Sequence, residues 1–268
     1  MQKQIEALFN SEKKDWSQAN LELFFEFREG LSRGKYRAAV RENGVWKTQQ
    51  WVKKGILLGF RMGTIVEMPY SNSKIFLDKS TFPERQLSLT DKVRIVPGGS
   101  SVREGAYVGS SVILMPPMYI NVGAYVDDGS MIDSHALVGT CAQVGKHVHL
   151  SAGSMLGGVL EPMGANPVIV EDNVFIGGNC GLYEGVIVRQ SAIIAAGVVI
   201  TSGTPVYDAV NKCYLIKSPA FEIPANAVVV SGSRPLKSNP EFSVYCPIII
   251  KYRDEKTETS VVLEECLR

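Results

Sequence analysis

The segment VGAYVDDGSMIDSHALVGTCAQVGKHVHL, residues 122–150, has an aliphatic residue at every sixth position: Val126, Ile132, Val138, Val144 and Leu150. Six residues of α-helix turn through about 600°, so successive members of the series would face different directions on a helix. Six is an even number, so in an extended chain all members face the same side. The period therefore predicts short strands that point their aliphatic side chains into one common interior.

The same period covers most of the second part of the chain. It is unbroken over 102–156, resumes over 170–200 and returns at Ile223 and Val229. The second inward position of each hexad is small or slim in most cases, as at Ala106, Val112, Met118, Ala124, Ser130, Ala136, Ala142, Val148 and Ser154. Sharp corners that need a permissive backbone are predicted at Gly105, Gly123, Gly129, Gly145 and Gly153. Three hexads then form one triangular coil, and stacked coils form a parallel β-helix.

The residues before this repeat are patterned differently. Residues 1–30 have helical patterning, the pair at 43–44 (Asn-Gly) predicts a hairpin turn, and residues 51–62 predict a short amphipathic helix. Residues 63–92 are polar and weakly patterned, and we predict a connection with some helix there. The predicted organisation is an α-rich N-terminal domain over 1–92, a β-helix over 93–232 with an excursion near 157–169 and an insertion at 204–222, and a C-terminal extension over 233–268.

Composition excludes several classes of function. The 268 residues carry a formal net charge of +1, which gives no basic excess for nucleic acid or an anionic membrane surface. No apolar run approaches the roughly 20 residues of a membrane span, and the N-terminus lacks a signal-peptide apolar region, so we expect a cytoplasmic protein. The five cysteines form no CxxC pair, so the sequence predicts neither a zinc site nor a disulfide framework.

Several longer stretches narrow the family. They are WKTQQWVKKGILLGFRM, VRIVP, INVGAYVDDGSMIDSHALVGTCAQVGKHVHLSAG, GGVLEPMGANPVIVEDNVFIG, EGVIV and VVVSGSRP. Over nearly the whole chain they resemble the tetrahydrodipicolinate N-succinyltransferases, a family of hexapeptide-repeat acyltransferases. The resemblance implies a left-handed coil and a homotrimer with active sites between neighbouring β-helices. It also implies succinyl-CoA as co-substrate, no permanently bound cofactor, and the opened form of tetrahydrodipicolinate as acceptor, in lysine and diaminopimelate biosynthesis.

Two residues carry the acceptor site in this interpretation. Arg94 of VRIVP and Asp133 of SMIDS match residues that bind the acceptor in the family. Asp133 follows the inward Ile132, so it faces outward, where its carboxylate can orient the acceptor ammonium and accept a proton. The alternatives are a corner aspartate that satisfies backbone amides and a surface arginine.

The chain departs from the family after FIG, where it reads GGNCGLYEG. Gly181 stands where the resemblance expects a glutamate that works beside the aspartate, and Glu184 is the remaining candidate for a second catalytic carboxylate. A solvated corner residue is the alternative for Glu184. Gly157 and Gly158 are predicted to let the CoA arm approach the backbone or to supply an oxyanion N–H, with a tight corner as the alternative. A further departure is the run at 256–258 (Lys-Thr-Glu), where the family has Lys-Thr-Arg.

Three histidines, His135, His147 and His149, are candidates for a catalytic base, but direct transfer requires no nucleophile beside them, and we favour a non-catalytic role. Two other functions remain open. One is a related CoA acyltransferase with another acyl donor or amine, which Gly181 favours, and the other is a non-catalytic trimeric scaffold. Apolar outward residues predict faces that are buried against partner subunits, namely Tyr107, Ile113, Tyr125 and Leu137.

Overall fold

The structure is a computed structural model that describes residues 1–11, 16–70, 74–216 and 220–253. Its N-terminal part contains the elements α1 Gln2–Asn10, α2 Gln18–Ser32, β1 Ala39–Glu42, β2 Val45–Thr48 and α3 Gln50–Met62. The β1–β2 turn has positive φ at both of its central residues, as the Asn-Gly pair predicts. The predicted helices and the predicted hairpin are therefore confirmed.

The apolar faces of the helices pack on one corner of the coil. Phe24 and Phe27 of α2 and Ile56 of α3 are fully buried in a cluster that also contains Val122 and Cys141 of the coil. The helices therefore bury their apolar faces against the β-helix as well as against each other. Across the described residues, no helix combines the length and the apolar character that a membrane span requires.

For residues 63–92 the sequence predicted a connection with some helix, and this prediction was wrong, because the main element there is a β-ribbon. A two-stranded antiparallel ribbon occupies this region, β3 Ile65–Tyr70 and β4 Lys74–Lys79. Among the residues of this region that the structure describes, only the short 3-10 turn Leu89–Asp91 is helical. The ribbon escaped the sequence pattern because it is not half-buried in the usual way: Ile65 is 61% exposed and Leu77 is 67% exposed. Period-two alternation is produced by burying one face, and this ribbon buries little.

The six-residue period produces one two-residue strand per hexad. In chain order the strands are β5 Arg94–Ile95, β6 Ser101–Val102, β7 Tyr107–Val108, β8 Ile113–Leu114, β9 Tyr119–Ile120, β10 Tyr125–Val126, β11 Met131–Ile132, β12 Leu137–Val138, β13 Gln143–Val144, β14 His149–Leu150, β15 Met155–Leu156, β16 Ile169–Val170, β17 Phe175–Ile176, β18 Gly181–Leu182, β19 Ile187–Val188, β20 Ile193–Ile194 and β21 Val199–Ile200. The later strands are β22 Tyr207–Asp208, β23 Cys213–Tyr214, β24 Glu222–Ile223, β25 Ala227–Val230, β26 Ser233–Leu236, β27 Asn239–Tyr245 and β28 Ile248–Tyr252.

These strands stack into three sheets, one for each side of the triangular coil. Sheet I has the order β24-β19-β16-β13-β10-β7, sheet II has β23-β22-β28-β25-β20-β17-β14-β11-β8-β5, and sheet III has β21-β18-β15-β12-β9-β6. Within the regular coils the pairing is parallel and one coil apart, as in Ile132↔Leu150. The predicted parallel β-helix is confirmed.

The interior is filled as the period predicts. Ile132, Val138 and Leu150 have no exposed surface, and the small second inward positions are also buried. The two serines among those positions are satisfied inside the coil. Ser130 Oγ donates to the carbonyl of Gly145, and Ser154 Oγ donates to that of Gly177.

Four of the five glycines predicted at corners, Gly105, Gly123, Gly129 and Gly153, have positive φ. Gly145 does not, and its reason is close packing, because a Cβ there would lie 2.7 Å from the backbone nitrogen of Asp172.

The regular coil is interrupted between β15 and β16 and again after β21. Hydrogen bonds from the N-terminal part fix the first excursion in place. Lys53 Nζ donates to the carbonyl of Ala165, and Thr48 Oγ1 donates to Asn166 Oδ1. The second contains the antiparallel pair β22–β23. The C-terminal part adds the β26–β27 ribbon and β28, which joins sheet II beside β25. The predicted departure at 256–258 lies outside the described residues.

Candidate active site

The outer face of sheet II brings together the two residues predicted to bind the acceptor. The register aligns Arg94, Ile113, Met131 and His149 in one outward column. Asp133 lies two residues beyond Met131 on the same side of the coil, so Arg94 and Asp133 are two coils apart. With about 4.8 Å between strands and about 3.3 Å per residue, their Cα atoms are separated by about 12 Å. A cation and a carboxylate therefore share one face of one sheet.

The two oxygens of Asp133 have different environments. Oδ1 accepts a hydrogen bond from the backbone N–H of Ser134 at 2.7 Å, which fixes the corner after β11. Oδ2 lies 3.8 Å from Nε2 of His149, and the Asp133 side chain is 26% exposed. The two interpretations of Asp133 are thus compatible: one oxygen forms the corner, and the other remains available on the outer face of sheet II.

His149 is a residue of this site that the sequence analysis did not favour. It lies one coil beyond Met131, diagonally next to Asp133, and its ring packs edge-on against Phe175 at a centroid distance of 5.1 Å. Burial lowers the pKa of His149, and Asp133 opposes that shift. The 18-residue length of one coil was the signal that could have placed His149 beside Asp133.

Arg94 begins the coil on β5 and is exposed. It lines a depression of about 490 Å³ together with Lys92 and Asp128. The Asp128 carboxylate already accepts hydrogen bonds from Lys146 Nζ and from the backbone N–H of Ser110, each at 3.0 Å. The two cationic side chains therefore make this depression suitable for an anionic group such as a substrate carboxylate.

Glu184 is not brought near Asp133 within one chain. Asp133 lies at the corner between sheets II and III, whereas Glu184 follows β18 at the corner between sheets III and I, with a φ of 54°. It is exposed and accepts a hydrogen bond from Ser202 Oγ at 2.9 Å. Within a single chain, Glu184 is a corner residue.

Gly157 and Gly158 differ in what their N–H groups can do. The N–H of Gly157 donates to the carbonyl of Leu182 at 2.8 Å, within sheet III. Gly158 is exposed, and within the described ranges no protein acceptor takes its N–H. The backbone of Gly158 lies against Thr140, whose nitrogen would be 2.8 Å from a Cβ at position 158. Gly158 alone of the pair thus offers a donor to a ligand.

The departure at Gly181 has a structural companion. The Tyr183 ring lies over both Gly181 and Gly157, so that a Cβ at either position would come within 2.5 or 2.6 Å of a ring carbon. The two glycines form a seat for this ring on the outer face of sheet III. Space that a longer side chain at position 181 would use is therefore taken by Tyr183.

Within the described part of the chain, no group of three or more His, Cys, Asp or Glu side chains is arranged to hold a metal ion.

Comparison with known proteins assigns this architecture to a family. Residues 1–62 match the profile of the tetrahydrodipicolinate N-succinyltransferase N-terminal domain, and residues 167–202 match the hexapeptide repeat of succinyl-transferase. The second match places the coil among the left-handed β-helices of that class.

Curated relatives agree over most of the length. A relative in Sodalis glossinidius is named 2,3,4,5-tetrahydropyridine-2,6-dicarboxylate N-succinyltransferase, and it is 42% identical over 89% of this chain and 85% of its own length. A relative with the same name in Paraburkholderia phymatum is 43% identical over 90% of this chain and 86% of its own length. The relative in Acinetobacter baylyi is 41% identical over 89% and 86%. With this helical N-terminal part, this coil and these relatives, the chain belongs to the tetrahydrodipicolinate N-succinyltransferase family.

Proposed function

We propose that this chain transfers the succinyl group of succinyl-CoA to the amine of opened tetrahydrodipicolinate, L-2-amino-6-oxopimelate, in lysine and diaminopimelate biosynthesis. Relatives that carry this activity in their names cover about nine tenths of the chain at 41–43% identity. The structural observation that supports the proposal is the arrangement of Arg94 and Asp133 on one face of sheet II. Because CoA thioesters are intracellular metabolites, a cytoplasmic location belongs to the same proposal.

Amide formation from a thioester requires a deprotonated amine held beside the carbonyl carbon. Asp133 Oδ2 is the acceptor for this amine, because Oδ1 is already bonded to the backbone of Ser134. The amine nitrogen attacks the thioester carbon, the C–S bond breaks, and CoA leaves as the thiol. No covalent enzyme intermediate is needed.

The other ends of the two substrates are held elsewhere on the coil. Arg94, with Lys92 beside it, binds a carboxylate of the acceptor, and the separation of about 12 Å from Asp133 suits an extended amino dicarboxylate. On sheet III the N–H of Gly158 is a donor for the thioester oxygen or the CoA arm. Asp133 and Gly158 lie at opposite edges of sheet III, so one complete active site requires a neighbouring subunit.

Release of free CoA thiol tests this function directly. Succinyl-CoA is offered with and without the amino dicarboxylate acceptor, and thiol is expected only when both are present. Thiol release that does not depend on any acceptor, or none at all, would contradict the proposal and favour a scaffold.

The Arg94→Ala variant is expected to raise the KM for the acceptor and leave the KM for succinyl-CoA nearly unchanged. A charge-assisted hydrogen bond contributes about 1.5–3 kcal/mol, so kcat/KM should fall by that amount. Steady-state kinetics with each substrate varied in turn measure the effect. Arg94→Lys is the control, because it keeps the charge and loses the forked geometry, and it should lie between the wild type and Arg94→Ala. An unchanged acceptor KM in Arg94→Ala would remove Arg94 from the site.

The trimer belongs to the same proposal, but the sequence argument for it needs correction. Tyr107 and Tyr125 of sheet I are covered within the single chain and do not need a partner subunit. Their rings stack on each other, and the Arg37 guanidinium lies 3.6 Å from the centroid of the Tyr125 ring. Ile113 is only 4% exposed. Of the four residues named from the sequence, Leu137 remains, on sheet III.

Sheet III supplies a better candidate for the subunit interface. Beyond Ser101 of β6, its outward column is Tyr119, Leu137, Met155, Gly181 and Val199, which carries no charged residue. The first three are half-buried in the single chain, and Val199 is 41% exposed. This column lies between the Asp133 corner and the Gly158 corner, as a shared site would require.

Light scattering is expected to give three times the mass of one chain. Leu137→Glu, which places a charge in the centre of the apolar column, should shift the protein toward the single-chain mass. Val210→Glu is the control, because Val210 is an apolar residue of the insertion that is 51% exposed. A wild-type protein that is a monomer at micromolar concentration would contradict both the trimer and the shared site.

A second candidate function is supported by Gly181 and Tyr183. Because the Tyr183 ring occupies the surface at position 181, the cleft beside sheet III is shaped for a different acyl donor or amine than a site with a side chain there. A panel of acyl-CoA thioesters and amines distinguishes the two functions. Higher kcat/KM with another donor or amine than with the succinyl-CoA pair would favour this second function.

A further inference from the structure

A buried imidazole nitrogen faces the proposed catalytic carboxylate without bonding to it. Nε2 of His149 is inaccessible to solvent and has no hydrogen-bond partner within the described ranges. Oδ2 of Asp133 lies 3.8 Å from this nitrogen, which is too long for a hydrogen bond. Buried polar atoms are nearly always paired in folded proteins, so an unpaired one beside a site calls for a functional explanation.

The ring is packed between residues of the two neighbouring coils. Phe175 packs against it from the next coil, with the two ring planes at 87°. Met131 occupies the preceding coil in the same column. The side chain keeps 20% of its surface exposed, so the ring borders solvent on one side while Nε2 is turned inward. For the two groups to reach hydrogen-bonding distance, the gap between them has to shorten by about 0.6–1 Å.

The charge state suits proton acceptance. Burial lowers the pKa of His149 below its ordinary value near 6.5, so the imidazole is neutral at pH 7. From the strands packed on either side, β11 and β17, Asp133 is the charged group that acts on the ring, and it favours the imidazolium form. The ring is therefore a neutral base next to a carboxylate that gains from its protonation.

We propose that His149 is a positioning residue of the acyl-transfer site, which closes onto Asp133 Oδ2 and takes over the proton that this carboxylate removes from the acceptor amine. The proposal rests on the proposed function, because it assigns a partner to the carboxylate that holds the amine. His149 acts through Asp133 and does not touch the substrate.

The proton transfers balance as follows. The acceptor enters as an ammonium and gives one proton to Asp133 Oδ2. That carboxylic acid donates the proton to Nε2, which leaves an imidazolium paired with a carboxylate. The free amine then attacks the thioester carbon, the C–S bond breaks, and the second N–H proton leaves with the CoA thiolate as thiol. The imidazolium returns its proton to water through its exposed side, so one proton is released for each ammonium consumed.

Kinetics of three variants test this role. His149→Asn removes Nε2 and is expected to lower kcat on the order of 10²-fold with little change in the acceptor KM, because misplacement of a reacting group has an effect of that size. His149→Gln returns an amide nitrogen near the place of Nε2 and should recover part of kcat. His135→Asn is the matched control, because His135 is exposed, lies only two residues beyond Asp133 in the sequence and has a φ of 61°, which asparagine tolerates.

The pH profile separates this role from a purely structural one. In the wild type, kcat/KM should fall as the pH drops through the lowered pKa of His149, because an imidazolium cannot accept the proton. That acid limb should be absent in both His149→Asn and His149→Gln. A kcat and an acid limb that are unchanged in His149→Asn, with an active wild type, would overturn the proposal.

A measurement without turnover tests the pairing itself. The chain contains only three histidines, so their imidazole signals can be followed individually by NMR. In Asp133→Asn the pKa of His149 should fall below its wild-type value, because the carboxylate that stabilises the imidazolium is gone. An unchanged titration of His149 would overturn the pairing. If the wild type released no thiol with any acceptor, the proposed function would fail, and this titration alone would decide the pairing.

Discussion

Asp133→Asn is expected to lower kcat/KM by about 10²–10⁴-fold, the range for loss of a general acid or base, while the trimer and its Tm stay nearly unchanged. Asparagine keeps the size of the side chain, and its Oδ1 can still accept the hydrogen bond from the Ser134 N–H that forms the corner. What it loses is the charge on the oxygen that faces His149. Thiol release and thermal unfolding, measured on the same preparation, show whether activity and stability separate.

The chain supplies a matched control for this variant. Asp127 occupies the same position one hexad earlier, and its Oδ1 accepts the N–H of Asp128 at 2.9 Å, the same corner bond that Asp133 makes. Asp127→Asn therefore removes a comparable charge from a comparable corner on another edge of the coil, and it should leave kcat/KM within a few-fold of the wild type. If Asp133→Asn stays active and unfolds at a lower temperature, Asp133 is a corner residue, and Glu184 becomes the carboxylate to test.

The coil was predictable because its constraint is strictly local. Each hexad must turn one aliphatic side chain inward, so the period is present in every repeat and the interior follows from it, as at Ile132 and Leu150. The β3–β4 ribbon was not predictable in this way, since none of the side chains described for it is buried, and apolar residues such as Leu77 are exposed. The sequence also did not reveal that the outer face of sheet I is covered by the N-terminal part. That contact depends on the Arg37 side chain reaching the ring of Tyr125.

The site was predictable only in part. Period two places Asp133 on the outside, and the resemblance gave it a role, but neither says which of its oxygens is free. The 18-residue coil, which the period predicts, places His149 in the next coil beside Asp133, but it does not say that the two side chains turn toward each other. The loss of a side chain at Gly181 is visible in the sequence, whereas the Tyr183 ring that lies over it is a matter of side-chain direction. The period predicts which side chains point inward and which point outward, whereas the contacts among the outward side chains are known only from the structure.

Gly139→Ala is expected to destabilise the coil by about 3 kcal/mol, although the sequence gives no sign that this glycine matters. It follows β12, where the next coil lies close to its backbone: a Cβ there would lie 2.5 Å from the Leu156 carbonyl oxygen and 2.7 Å from the Gly157 carbonyl carbon. These neighbours are backbone atoms of the next coil, and the Gly139 N–H donates to that same Leu156 carbonyl at 2.8 Å. Neither coil can move away without breaking ladder hydrogen bonds.

For a chain of this size, 3 kcal/mol corresponds to a fall in Tm of roughly 6–12 °C. Thermal unfolding of Gly139→Ala should be compared with that of Gly203→Ala, because a Cβ at Gly203 would meet only the Thr201 hydroxyl, at 4.0 Å. Gly203→Ala should leave Tm nearly unchanged. The distortion in Gly139→Ala falls on the Gly157–Gly158 backbone, so the fraction that folds should show a higher KM for succinyl-CoA, with a smaller change for the acceptor. Equal melting temperatures for the two variants would mean that the two coils can move apart here at little energetic cost. The Gly158 N–H would then not be held rigidly, which would contradict its proposed role as a fixed donor.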